Sequence, residues 1–244
     1  MRNCIFLIDT FQVIQISGSA SLYYIVKSEI RDMINVKMKK KILATLLNGM
    51  FAHKTDPVMM RNGCLTLCQF SIPQDVIFDY KRLVNILLHI VSEHTSDNNG
   101  FVQRAGIYLL NSLACHVDGQ QKLLVGDLGA MEAMLALIKG RVDSGTCDDV
   151  METAWSCMWN VTDETPHNCK RFLDGGGMHL FLKCKEVFPS KQDLLRNMMG
   201  LLGNVAEVPH LRPYLMTKEF VEEFTQLLDS NSDGIEVRKV DDGH

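Results

Sequence analysis

Slid against itself, the chain repeats a pattern of apolar positions at helical spacing in four segments. They begin at Val58 (VMMRNGCLTLCQF), Val102 (VQRAGIYLLNSLA), Val150 (VMETAWSCMWNVTDE) and Leu194 (LLRNMMGLLGNVAE), at intervals of 44, 48 and 44 residues. Armadillo and HEAT repeats run to ~40–47 residues. Each segment predicts an amphipathic helix, followed by a polar turn such as HVDG (116–119) or DETP (163–166). A short helix then ends at a glycine hinge, as in LLVGDLGAMEAMLALI (123–138) and FLDGGGMHLFLKC (172–184). Glycine suits that hinge because the backbone between packed helices often needs a positive φ.

A further helix is predicted over 37–51 (KMKKKILATLLNGMF), as an earlier, degraded unit whose lysines form a solvated face. Residues 95–99 and 143–149 read as surface loops. No alternating β-branched run between tight turns suggests a strand. The expected fold is therefore all-α: an armadillo-like (ARM/HEAT) right-handed helical solenoid. No single unit can bury its apolar face, so neighbours stack and share one core. The boundaries are an N-terminal segment over 1–29, partly irregular or a leading helix, repeats over 30–237, and a divergent tail over 238–244. The tail reads RKVDDGH where a further repeat helix is expected, so the stack is read as ending one repeat early.

Composition supports this. The chain is 46% hydrophobic and 22% charged, with only 6 prolines. A formal charge of −4 argues against a general nucleic-acid binder, which would carry a basic face. No stretch approaches the ~20 apolar residues of a membrane span. Arg2, the apolar run from Cys4 to Ile16 and SGSA at 17–20 outline a signal peptide faintly, but Asp9, Gln12 and Gln15 interrupt it. The sequon at Asn160-Val161-Thr162 carries no weight without secretion.

Catalysis and cofactors find little support. The eight cysteines form no CxxC pair, and Cys64 with Cys68 would need two more ligands to hold a metal. Buried reduced thiols are expected. The triple glycine 175–177 lacks the Lys-Ser/Thr of a phosphate loop. The histidines are scattered, and Cys169 near His167 is the nearest pairing with a nucleophile. No cofactor, metal or catalytic residue is expected.

The chemistry lies in a column. Asn111, Asn160 and Asn204 recur at matching positions of the aligned helices, and Asn48 fits the same local pattern. Asparagine is a mediocre helix former. A ladder of its amides could bond the backbone of an extended peptide, or it could bond neighbouring helices and hold the stack. Trp159 and Asp163 lie one turn apart, and Asn204 and Glu207 share a face. Stacking would bring Asp163 and Glu207 together, and two carboxylates repel unless a cation sits between them. An ammonium suits that gap, with Trp159 as an apolar wall. Other roles stay open: Trp155 and Trp159 as core, Asp163 as a helix cap, Glu207 as a solvated residue.

The stretches AWSCMWNVTDETPHNCKRFLDGGGM (154–178) and LLRNMMGLLGNVAEVPHLRPYL (194–215) resemble the armadillo-like region of the Zyg-eleven homologs, the ZYG/ZER group of cullin-RING ubiquitin-ligase substrate receptors. The resemblance covers about residues 30 to 237. It implies a non-catalytic receptor in the cytoplasm, and also in the nucleus, binding proteins with an unacetylated N-terminal Gly. Asp163 and Glu207 would take the ammonium, Asn160 and Asn204 the first peptide groups, and Trp159 would exclude a first side chain larger than glycine. Asn111 would extend the ladder. The family's leucine-rich repeats and cullin/elongin-docking box are not found here, so contact with that complex would run through regions missing from this chain. The other reading is a generic armadillo scaffold for an internal peptide segment.

Overall fold

Amphipathic stripes dictate the architecture. In Tyr80–Glu93, for example, Leu83, Val84, Leu87, Leu88, Ile90 and Val91 fall on one buried side. A computed structural model describes residues 2–28, 33–93 and 100–232, with side chains described between residues 11 and 226. Among the described residues there are twelve α-helices and no strand. They are α1 (Arg2–Lys27), α2 (Val36–Ala52), α3 (Pro57–Leu67), α4 (Tyr80–Glu93), α5 (Phe101–Cys115), α6 (Gly119–Asp127), α7 (Ala130–Asp143), α8 (Asp149–Thr162), α9 (Pro166–Asp174), α10 (Gly177–Val187), α11 (Gln192–Glu207) and α12 (Lys218–Ser232).

Packing sorts these into three columns. The aligned segments are α3, α5, α8 and α11, each packed on the next, with α1 packed on α3 at the leading end. The helices α2, α4, α7 and α10 form a second column, and the short α6 and α9 a third. Two complete three-helix units result, α6–α8 and α9–α11. The architecture is an all-α solenoid with one continuous core running from Val26 to Phe220.

Local chemistry sets the corners. Asp118 caps α6 by accepting from the Gln121 amide, and the Gln121 side chain returns a bond to the Asp118 amide. The α6–α7 and α9–α10 hinges use Gly129 (φ 95°) and Gly176 (φ 78°), the left-handed conformation that a Cβ disfavours.

One sequence expectation changes. Asn48 lies on α2, in the second column, where its Oδ1 accepts from Arg82; it does not belong to the asparagine column. Of the two readings given for the first 29 residues, the structure has the leading helix: α1, of 26 residues, packs on α3 at the head of the aligned column. The loop over 95–99 and the tail over 238–244 lie outside the described residues. At the far end, α12 seats Phe220 in the core and Phe224 against Phe181, ring centroids 6.3 Å apart. No helix among the described residues is long and apolar enough to cross a membrane.

Candidate functional site

The site begins with how α8 is anchored. Asp148 caps it, accepting from the Met151 amide at 3.0 Å, and Arg141 holds the Asp148 carboxylate. Successive turns carry two tryptophans to different fates. Trp155 is fully buried, edge-on to Phe172 at 6.1 Å. Trp159 is half-buried, and its ring spans to α11, where it lies against Gly200. A Cβ at position 200 would stand closer than 3.0 Å to three ring atoms, so the glycine admits the indole.

The last four carbonyls of a helix have no intrahelical donor, and at α8 side chains supply three of them. Trp159 O accepts from Thr162 Oγ1 and from Asn204 Nδ2, both at 2.9 Å. Val161 O accepts from Thr165 Oγ1 at 2.6 Å and Asn168 Nδ2 at 2.9 Å. Thr162 O accepts from the Cys169 thiol at 3.5 Å. The chain then turns through Glu164 at φ 55°, which costs a non-glycine residue about 1–3 kcal/mol. Thr165 is the N-cap residue of α9, so Asp163 is not that helix's cap.

The asparagine amides stitch neighbouring helices. Asn160 Nδ2 donates to Asn111 Oδ1 at 2.9 Å, and Asn111 Nδ2 donates to Ser156 Oγ at 3.3 Å. Asn204 Nδ2 donates to Thr162 Oγ1 at 3.0 Å as well as to Trp159 O. All three side chains remain half-buried. Among the described residues, the Oδ1 atoms of Asn160 and Asn204 accept no hydrogen bond, so each turns a free acceptor to the surface.

Asp163 follows α8 as its C-terminal cap residue, and Glu207 is the last residue of α11. Both are exposed. Each carboxylate therefore sits at the negative end of a helix dipole, the end that favours cations, and neither helix has a basic residue in its last turn. Both charges act on one thiol: burial, then Glu207 and Asp163, push Cys169 up to about 11, against a bond to the backbone that lowers it. Asn204, one turn before Glu207, bonds Thr162, the neighbour of Asp163, so both acids stand at the α8–α11 junction.

Sequence reasoning missed a cation there. Lys122 of α6, with its side chain only 8% exposed, places Nζ 2.5 Å from Asp163 Oδ2. Its own carbonyl accepts from Asn168, which is fully buried and packs so closely on Gly126 that no Cβ fits there. Lys122 and Asp163 are 41 residues apart, and QQKLL carries no local sign that the lysine is buried. The expectation of buried thiols holds for Cys64, Cys157, Cys169 and Cys184 but not for the exposed Cys68 and Cys115; desolvation pushes Cys157 and Cys184 up to about 12. Among the described residues no group of His, Cys, Asp and Glu could hold a metal ion.

Comparison with known proteins gives the family of the chain. The model of the family described as "Protein zer-1 homolog-like, C-terminal domain" matches residues 8–239. The chain belongs to this family. It is similar to the protein zer-1 homolog of Drosophila melanogaster, 61% identical over 93% of this chain and 28% of the relative. It is 49% identical to the Zyg eleven-related protein 1 of Caenorhabditis elegans over 92% of this chain and 24% of that protein. To the human protein zer-1 homolog it is 48% identical over 92% of this chain and 29% of the relative. The chain thus spans less than a third of these relatives' length, the part that carries the zer-1-like helical stack.

Proposed function

We propose that this zer-1-like stack is the substrate-reading module of a cullin-RING ubiquitin ligase, and that it binds N-terminal glycine degrons. The observation that carries the reading is the α8–α11 junction, where Asp163 and Glu207 stand exposed at two helix C-termini and one oxygen of Asp163 is held by Lys122. A primary ammonium is the complement of such a corner, since its three protons can be divided between Asp163, Glu207 and a free Asn oxygen. Trp159 walls one side and leaves space for glycine alone at the first position. Asn160 and Asn204 bond the first peptide groups, while Asn111 extends the ladder and orients Asn160.

The module acts by binding, without catalysis of its own. It joins the cullin/elongin complex through regions outside this chain, and it works in the cytoplasm and nucleus. Acetylation of the glycine amine removes the charge and two donors, and leaves Glu207 and the outer oxygen of Asp163 without the ligand's ammonium. The test is fluorescence anisotropy with a Gly-initiated peptide, free and acetylated. The free peptide is expected to bind at least about tenfold more tightly, the loss of one charge-assisted bond, and to outcompete Ser- and Ala-initiated versions. Equal affinity for free and acetylated peptides would sink the proposal in favour of a scaffold for internal segments.

A further inference from the structure

We infer that Lys122 is a positioning residue for the ammonium seat: it fixes one oxygen of Asp163 and leaves the other to the ligand. The inference rests on the reading of the corner as an amine site.

Geometry carries it first. Asp163 has two oxygens with different surroundings. Oδ2 is held by Lys122 at 2.5 Å, from a side chain 8% exposed. Oδ1 accepts no hydrogen bond among the described residues, and the side chain is 51% exposed. One oxygen is thus fastened from below and the other is presented to the surface. A carboxylate at a helix end, half in water, would otherwise rotate freely about its side-chain torsions, and a ligand would bear the cost of ordering it. The lysine has borne that cost within the fold. Its backbone is fixed in turn, because Asn168 Nδ2 donates to Lys122 O at 3.0 Å while also holding Val161 O of α8. One buried amide thereby sets the distance between the lysine's helix and the end of α8.

Charge fixes the direction of approach. Lys122 reaches Oδ2 of Asp163 from a side chain only 8% exposed, so the ligand's ammonium approaches from the opposite oxygen and the like charges are kept apart by the carboxylate between them.

The test uses the full chain and three substitutions. Lys122→Met keeps the length and apolar stem of the side chain, and Asp163 can be hydrated in its absence, so the fold is expected to survive. Binding of a free Gly-initiated peptide should weaken about tenfold in Lys122→Met, the scale of one charge-assisted bond. Lys122→Arg should recover to within about threefold, because it restores the charge. In an Asp163→Asn background, Lys122→Met should change affinity by less than about twofold, since the lysine acts through Asp163. Wild-type affinity in Lys122→Met, or an equal loss in both backgrounds, overturns the inference. A ligand-free measurement separates it from the reading beneath it. Lys122 should be among the slowest lysines to react with an amine-directed acylating reagent, and at least about tenfold faster in Asp163→Asn. Rapid labelling in the wild type refutes the clamp; slow labelling with no preference for free over acetylated peptide refutes the amine site and leaves the clamp standing.

Discussion

The indole of Trp159 on α8 packs so closely on Gly200 of α11 that no methyl group fits between them. The proposed wall of the amine site therefore depends on a residue of the next unit having no side chain.

Gly200→Ala should push the ring out of place. Alanine favours a helix over glycine by about 1 kcal/mol, yet the overpacking costs about 1–3 kcal/mol. The net expectation is mild destabilisation in urea unfolding, a changed tryptophan fluorescence spectrum, and a larger loss of peptide affinity than of stability. An unaltered spectrum would place the indole elsewhere.

Asp163→Ala and Glu207→Ala should each weaken binding of a free Gly-initiated peptide by more than ~1.5 kcal/mol. Both side chains are exposed, so Glu207→Ala should leave the unfolding midpoint unchanged. Asp163→Ala strands the Lys122 ammonium and should lower it. A folded variant of either kind with normal affinity speaks against the corner as the amine site.

The α6–α9 contact should be intolerant. A Cβ at Gly126 would collide with the buried Asn168 amide, so Gly126→Ala should cost about 3 kcal/mol, the upper end of overpacking. Asn168→Ala should cost about 2 kcal/mol by leaving the Lys122 and Val161 carbonyls short of a donor. Combined, the two should cost less than their sum, because removing the amide makes the space that the methyl needs. Additive losses in denaturant unfolding would contradict this packing.

Alkaline pH should destabilise the stack before the surface ion pairs matter. Burial pushes Cys169 from 9.0 up to about 11 and Cys157 up to about 12. In the unfolded chain these thiols ionise near their usual value, so the folded state retains protons that the unfolded state has lost. Stability from this source is complete below pH 9 and falls as pH rises through 11 to 12. Alkylation at pH 8 should reach the exposed Cys68 and Cys115 well before Cys157 or Cys169. Thermal unfolding from pH 8 to 11, with mass mapping of the labelled thiols, checks both.

Much of the frame was legible because it is periodic. The segment starts at Val58, Val102, Val150 and Leu194 fall one to two residues inside helices that begin at Pro57, Phe101, Asp149 and Gln192. The glycine hinges were legible because Gly129 and Gly176 sit where a positive φ is needed. Asn48 misled because LLNG on a second-column helix has the same local pattern as LLNS on an aligned one; only the stacking partner tells them apart. Lys122, Asn168 and Gly200 left no signal, since each acts on a residue more than 40 positions away. The acids and Trp159 stood out as residue types at suggestive spacings, whereas the lysine that balances them looked like one more surface charge.

The end of α8 is tied by side chains from α6, α9 and α11, and this limits modular engineering. Repeat proteins invite the exchange of single units, because each contacts only its neighbours. Here the residues proposed to read the ligand and the bonds that aim them are divided between two units and the preceding helix α5. A chimaera that transplants α6–α8 alone would carry Trp159, Asn160 and Asp163 without Gly200, Asn204 or Asn168, and would inherit the residues without their geometry. The smallest portable piece runs from α5, whose Asn111 accepts from Asn160, through Arg212, whose guanidinium holds the carbonyl of Ala206 near the end of α11.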